Sequence, residues 1–209
     1  MTTSERAPGL RLGERVVLPG DLELGAHVTI HAGAQIGAGC SIQDGAVVGE
    51  PGGAAVRVGD GAAVCARARL DAAAVVGPGA VVGDQAVVEA GAAVGSEALV
   101  GRGARVGVGA VVGDRSRLQT NVVLGVAAMV EEDVFVGPGA RIGRHAVLRR
   151  ACRVGAAADV AAEAEIGEEA FLGAGARVVE DVAPRAVMVG RPARRIREVG
   201  DEDLIERWR

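Results

Sequence analysis

Aromatic residues are nearly missing from this chain: Phe135, Phe171 and Trp208 are the whole complement, and there is no tyrosine. Rings carry much of the core of an ordinary domain, so the interior built here is a thin one that stacked aliphatics can fill. Cysteine is equally sparse. Cys40, Cys65 and Cys152 make no disulfide framework; Cys40 and Cys152 read as compact buried filler and Cys65 as a more exposed corner residue, none with assigned chemistry. His27, His31 and His145 are too few and too scattered for a three-histidine zinc site, and no metal is expected. There is no excess of positive charge either. A formal charge of −4 and a pI near 5.5 argue against a nucleic-acid partner. No apolar run approaches a membrane span, and Met1 to Leu10 lacks the order of a signal peptide, so the expected location is cytoplasmic.

What the chain has instead is a ladder. From Val58 to Val178 an aliphatic residue returns at every sixth position, through Val64, Leu70, Val76, Val82 and on to Leu118, Leu124, Ile142 and Leu172. An α-helix advances about 100° per residue and would spread such positions over every side, whereas an even spacing in strand geometry turns every rung the same way. Two residues before nearly every rung stands a small residue, as at Ala62, Ala80, Ala98 and Ser116. One residue after it there is often glycine, as at Gly77, Gly83, Gly95 and Gly137. Six residues hold a small inward side chain, a large inward side chain and a turn only if each hexad is one short strand and one corner. The glycine is expected there because it lacks a Cβ to clash at positive φ. Such periodic hexads mark a parallel β-helix, in which three hexads close a triangular coil of about 18 residues. The fold class is therefore all-β, a single solenoid domain.

Taken in order, residues 1–10 are polar and irregular and read as a flexible N-terminus. Rungs begin at Leu12 and continue through Leu18, Leu24, Ile30, Ile36, Ile42 and Val48, the first two without small partners. The spacing from Val48 to Val58 exceeds the hexad, so a small loop is expected at 49–57, either as a tolerated surface insertion or as a lining for a substrate. The β-helix is placed at 11–182, about nine coils and, at about 4.8 Å per coil, on the order of 45 Å long. Residues 183–209 are read as a C-terminal extension ending in a short capping helix, with Asp201 as N-cap and Leu204, Ile205 and Trp208 on one side.

Sorting the outward residue before each rung by its place in the coil gives three faces. One reads Val75, Ala93, Val111, Met129, Val147 and stays apolar, the mark of an interface. A second reads Arg69, Val87, Arg105, Val123, Arg141, Asp159, Arg177, a column of arginines open to two readings, an anion site or a solvated face. The third carries Phe135 and Phe171 with Arg153 between them, a strip packed by a neighbour or a ligand.

The hexads, together with Val189-Gly190-Arg191-Pro192-Ala193, resemble the left-handed β-helix acyltransferases, the hexapeptide-repeat family, over nearly the whole chain. Left-handed winding is what the resemblance implies; the spacing is silent on it. Within that family, Arg117-Leu118-Gln119-Thr120-Asn121-Val122 followed by Glu131-Glu132-Asp133-Val134-Phe135-Val136-Gly137-Pro138 is similar to the sugar-nucleotide N-acetyltransferases that acetylate a 3-amino group on a UDP-linked uronic acid. The resemblance implies a homotrimer with acetyl-CoA lying along the prism between two subunits. It also implies Asn121 as the polar group at the amine with Gln119 beside it, Glu131 and Asp133 as orienting groups, and His145 as the general base of other hexapeptide acyltransferases. The coenzyme would contact backbone at Gly155, Gly173 and Ala174, with Arg191 or Arg194 near its phosphates.

N-acyl transfer asks little of a protein. An unprotonated amine held against a thioester carbonyl is already a good nucleophile, so positioning supplies much of the rate. Plainer readings stand beside each candidate: Asn121 as a corner residue tolerant of positive φ, Glu131 and Asp133 as a hydrated acidic corner, His145 as an exposed corner residue. Members of the family leave the helix after Phe-Val-Gly-Pro in a long loop that helps form the sugar pocket, whereas here Gly139-Ala140-Arg141-Ile142-Gly143-Arg144-His145 carries the hexad on. Two functions follow from different classes. One is a CoA-dependent N-acyltransferase acting on an amino sugar, nucleotide-linked or not, or on another small amine. The other is a non-catalytic β-helix, a structural or binding protein that has lost the family's substrate loop.

Overall fold

The computed structural model describes residues 7–200, and that part of the chain is all β. From Arg11–Leu12 to Arg177–Val178 it forms twenty-seven strands of two residues each, separated by tight corners. Each strand pairs in parallel with the one three hexads later: Val75–Val76 with Ala93–Val94, Val87–Val88 with Arg105–Val106, Leu99–Val100 with Arg117–Leu118. Three sheets of 10, 8 and 11 strands result, the sides of a prism of about ten turns, consistent with a left-handed β-helix. The apolar residues alternate in period two, so every rung and every small partner points inward. Val82, Val88, Val100, Leu118 and Leu148 are fully buried, as are Ala80, Ala86, Ala110 and Cys152. Burying one such valine or leucine contributes roughly 1.5–3 kcal/mol, and the stack repeats that gain coil after coil. Leu12, Leu18 and Leu24 are only partly buried, as the missing small partners of the first two foretell.

The reason for the glycine differs from the expectation. Positive φ falls not on the residue after the rung but two positions further on, at Gly79, Gln85, Glu97, Gly103, Asn121, Asp133, Gly139 and His145 among others. The glycine directly after the rung meets a different demand. A Cβ on Gly77 would stand 2.7 Å from the carbonyl carbon of Gly95 and the nitrogen of Ser96 in the next coil. Close approach of successive coils, rather than backbone handedness, selects glycine there.

Arg57, which the expected 49–57 loop included, is already strand, and the connection from Val47–Val48 to Arg57–Val58 is longer than the corners that follow it as far as Arg177–Val178, with Gly52 at positive φ. Asp71, one coil on, is buried beside it and pairs with Arg69, Nε to Oδ1 2.8 Å. Beyond Val178 the hexad stops, but strand structure does not. Ala186–Gly190 adds in parallel to Phe171–Leu172 and folds back through Arg191-Pro192 onto Ala193–Glu198, an antiparallel hairpin that ends the largest sheet. The sequence pattern did not announce this hairpin. The helix expected near the C-terminus falls on residues 201–209, outside the described residues.

Candidate functional site

The three faces inferred from register are the three sheets. The column Arg69, Val87, Arg105, Val123, Arg141, Asp159, Arg177 forms the arginine face; Val75, Ala93, Val111, Met129, Val147 the apolar face; Leu99, Arg117, Phe135, Arg153, Phe171 the phenylalanine face. The first is largely neutralised by its own carboxylates. Arg69 pairs with Asp71, Arg105 with Glu89, and Arg177 with Asp159 at 3.7 Å. That pairing favours a solvated, salt-bridged face over an anion site.

Corners between faces stack into three edges, and these decide which candidates meet. The edge joining the phenylalanine and arginine faces carries Gln119 and Asn121, then Gly155 two coils on, then Gly173 and Ala174, and at its end the hairpin turn with Arg191. Arg194 pairs across that turn with Val189, whose side chain covers Gly173. Seven of the ten candidates therefore share one edge. Glu131 and Asp133 lie on the edge between the apolar and phenylalanine faces, and His145 on the third edge, opposite the phenylalanine face. One chain does not bring His145 to the other groups.

Backbone chemistry along the first edge separates its members. The Gly155 N–H donates to Leu172 O at 2.7 Å and the Gly173 N–H to Met188 O at 2.8 Å, so both are used in the ladder. The N–H groups of Ala156 and Ala174 have no protein acceptor among the described residues, which leaves two open donors one coil apart, each nitrogen lying against the glycine of the coil before it, 2.6 Å from where a Cβ on Gly137 would be and 2.5 Å from that on Gly155. Sequence reasoning named Ala174 and missed Ala156. Asn121 sits at φ 58 with its amide folded over Gly103, its Oδ1 2.5 Å from where a Cβ on that glycine would be. Its side chain thus points down the edge, away from Gly155. His145 is exposed at φ 55, its backbone N–H bonded to Val126 O at 2.9 Å.

The acidic corner is built, not merely hydrated. Glu131 accepts from Arg149 Nη1 and from the Arg150 backbone N–H, both at 2.8 Å, and the Arg149 guanidinium holds its carboxyl below the ordinary range. Arg149 also reaches Glu165 at 2.8 Å. Asp133 is clasped by Arg115, Nε to Oδ1 2.9 Å and Nη2 to Oδ2 2.8 Å, while Arg115 also binds Glu132. Those bonds push the Arg115 guanidinium above its usual value, Asp133 contributing most. Beneath the corner the buried Ser116 hydroxyl donates to Glu131 O at 2.6 Å and accepts from the Val134 N–H at 3.0 Å, taking the place of the turn's own hydrogen bond.

Between these two edges the phenylalanine face opens into a groove of about 910 Å³. Asp133 and Arg115 stand on one rim and Gly155 on the other, with Phe135, Arg153 and Phe171 along the floor and Arg117 and Glu97 at one end. Arg117 and Glu97 were not singled out by sequence reasoning. Nothing in a hexad marks an outward residue as functional, and only the column assembled across coils does so. Among the described residues no group of three or more His, Cys, Asp or Glu is placed to hold a metal ion, and no helix is long and apolar enough to cross a membrane.

The family model described as the hexapeptide repeat of succinyl-transferase matches residues 67–96 and 94–125. LpxA from Bacteroides fragilis, a UDP-N-acetylglucosamine acyltransferase, has the same fold at a TM-score of 0.64 and 15% identity, over 95% of this chain and 75% of that one. LpxA from Acinetobacter baumannii gives 0.61 and 16%, over 92% and 72%. A mutant of perosamine N-acetyltransferase from Caulobacter crescentus, in complex with CoA and GDP-perosamine, aligns at 28% identity over 63% of this chain and 57% of that one, with a TM-score of 0.37. No curated protein matched the sequence.

Proposed function

We propose that this chain, whose repeat and fold support the hexapeptide-repeat acyltransferase family, is a CoA-dependent N-acyltransferase, acetyl-CoA being the expected donor and an amino sugar or other small amine the acceptor. The observation that carries this reading is the shared edge: the open N–H groups of Ala156 and Ala174, the hairpin arginines and Asn121 stand in line beside a groove large enough for a ligand. Amide carbonyls of a pantetheine arm suit the two open donors, and the exposed Arg191 and Arg194 suit its phosphates. The acceptor nitrogen attacks the thioester carbonyl, the C–S bond breaks, CoA leaves as thiol and the amine proton is lost to a base. Asn121 positions the amine in this scheme.

His145 enters only if a second copy brings its opposite edge to this one. The apolar face favours such an assembly. Val75, Val111 and Met129 are 37%, 39% and 45% exposed, and Val108 and Val126 extend the patch round the edge that bears His145. A homotrimer with acyl-CoA between neighbouring copies satisfies both features. The binding-protein reading keeps two points in its favour: Glu131 and Asp133 are each engaged by an arginine, and the chain runs through Gly139 to His145 as an ordinary hexad without an excursion.

Release of CoA thiol from acetyl-CoA in the presence of a panel of amino sugars, free and nucleotide-linked, tests the proposal. Turnover with at least one amine is expected, falling about 100-fold in Asn121→Ala through lost positioning. A panel without turnover, in protein that binds acetyl-CoA, would favour the binding-protein reading.

A further inference from the structure

The chain has two phenylalanines, and neither is in the core. Phe135 is 37% exposed and Phe171 36%, although the inward sites of the prism hold apolar side chains almost throughout, Ser116 being an exception. Both stand in one outward column with arginines. The ladder pairs Arg117 with Phe135, Phe135 with Arg153, and Arg153 with Phe171. Neighbours in such a ladder lie about 4.8 Å apart, so cation and ring alternate over roughly 15 Å of groove floor.

An apolar ligand has no use for the arginines, and a simple anion has none for the rings. Alternation suits a ligand with a flat π-face next to closely spaced negative charge. Bases stack on exposed aromatic rings whatever their identity, and guanidinium groups form charge-assisted bonds to phosphate oxygens. The other charges of the groove agree: Arg115 is committed to Asp133, whereas Arg117 makes no ion pair among the described residues. We propose that this column binds the nucleoside diphosphate portion of a ligand, with the base against a phenylalanine ring and the diphosphate on Arg117 and Arg153. The inference rests on the groove being a ligand site of the proposed transferase. Two sources share the chemistry, the adenosine diphosphate end of the coenzyme and a sugar nucleotide.

Calorimetric titration with ADP, UDP and adenosine tests the assignment in wild-type protein and in Phe135→Leu, Phe171→Leu, Arg117→Gln and Glu97→Gln. All four side chains point outward, so the variants keep the core. ADP or UDP should bind, with adenosine at least tenfold weaker than ADP. Phe135→Leu and Arg117→Gln should each weaken binding about tenfold, and Glu97→Gln should tighten it severalfold at low salt by removing a carboxylate near Arg117. Preference for ADP assigns the coenzyme and preference for UDP a sugar nucleotide. Failure of both nucleotides to bind, or affinities unmoved by Phe135→Leu and Arg117→Gln, overturns the proposal. So does an oligomer that dissociates in Phe135→Leu while nucleotide affinity stays constant, since the column would then be a subunit contact. If acetyl-CoA binds wild type and variants alike and neither nucleotide's affinity moves in Phe135→Leu or Arg117→Gln, this assignment falls and the transferase reading stands; if nucleotides bind through the column but no amine is acylated, the reverse holds.

Discussion

Two glycines of one corner separate the two reasons a hexad needs that residue. Gly139 has φ 69 and open space where a Cβ would be; Gly137 has ordinary φ, but its Cβ would lie 2.6 Å from Ala156 N and 2.8 Å from Gly155 C. Gly139→Ala incurs the left-handed penalty of about 1–2 kcal/mol, offset in part by the stiffer unfolded chain, for a net loss of about 1 kcal/mol. Gly137→Ala must push the next coil away by roughly 0.8 Å to restore ordinary contact. That strains the bonds from Gly137 N–H to Val154 O (2.7 Å) and from Ala157 N–H to Pro138 O (2.9 Å). Overpacking of this kind costs about 1–3 kcal/mol and a weakened buried hydrogen bond about 1 kcal/mol more, so about 3 kcal/mol is expected. The same column accepts a side chain at Cys65 and Gln119, so the coils can spread and the variant still folds. Urea unfolding followed by circular dichroism measures both. If Gly139→Ala is as costly as Gly137→Ala, close approach is not what selects the glycine after each rung.

Three further outcomes follow from the acidic corner and the thiols. Ser116→Ala deletes the hydroxyl that bridges Glu131 O and the Val134 N–H; because the turn can then close on itself, the thermal midpoint should fall by the equivalent of about 1 kcal/mol rather than collapse. Glu131 is held below its ordinary value of 4.5 by Arg149, so its contribution is fully present above pH 4.5 and is lost as pH falls through the folded-state value; melts between pH 3 and 6 should show a shallower acid slope in Glu131→Gln. A thiol reagent added to native protein should modify Cys65 first, because Cys40 and Cys152 are fully buried and burial pushes the Cys152 thiol up; rapid labelling of Cys152 would show that the coils open.

Most of the prism was legible in the sequence because one physical rule repeats. An even spacing fixes which way each rung faces, and eighteen residues per coil fix which outward residues stack, so the three faces were read correctly down to Arg153 between two phenylalanines. The hairpin at Ala186–Glu198 escaped because it obeys no hexad and is held by pairing with the last coil. The site was less legible for a related reason. Edges are assembled from residues eighteen apart, and a motif read along the chain, such as Arg117 to Asn121 with Glu131 to Pro138, crosses from one edge to another. That is how Asp133, Asn121 and His145 came to lie on three different edges. Open N–H groups, such as that of Ala156, carry no sequence signal at all, since any residue presents one.

Titration of the purified protein with acetyl-CoA in a calorimeter, with its mass in solution determined alongside, tests the central claim most directly. Micromolar binding by a species of three times the chain mass is predicted, with affinity reduced in Arg191→Ala and Arg194→Ala. No detectable heat from a folded trimer would contradict the coenzyme site, and with it the assignment of this solenoid as an acyltransferase.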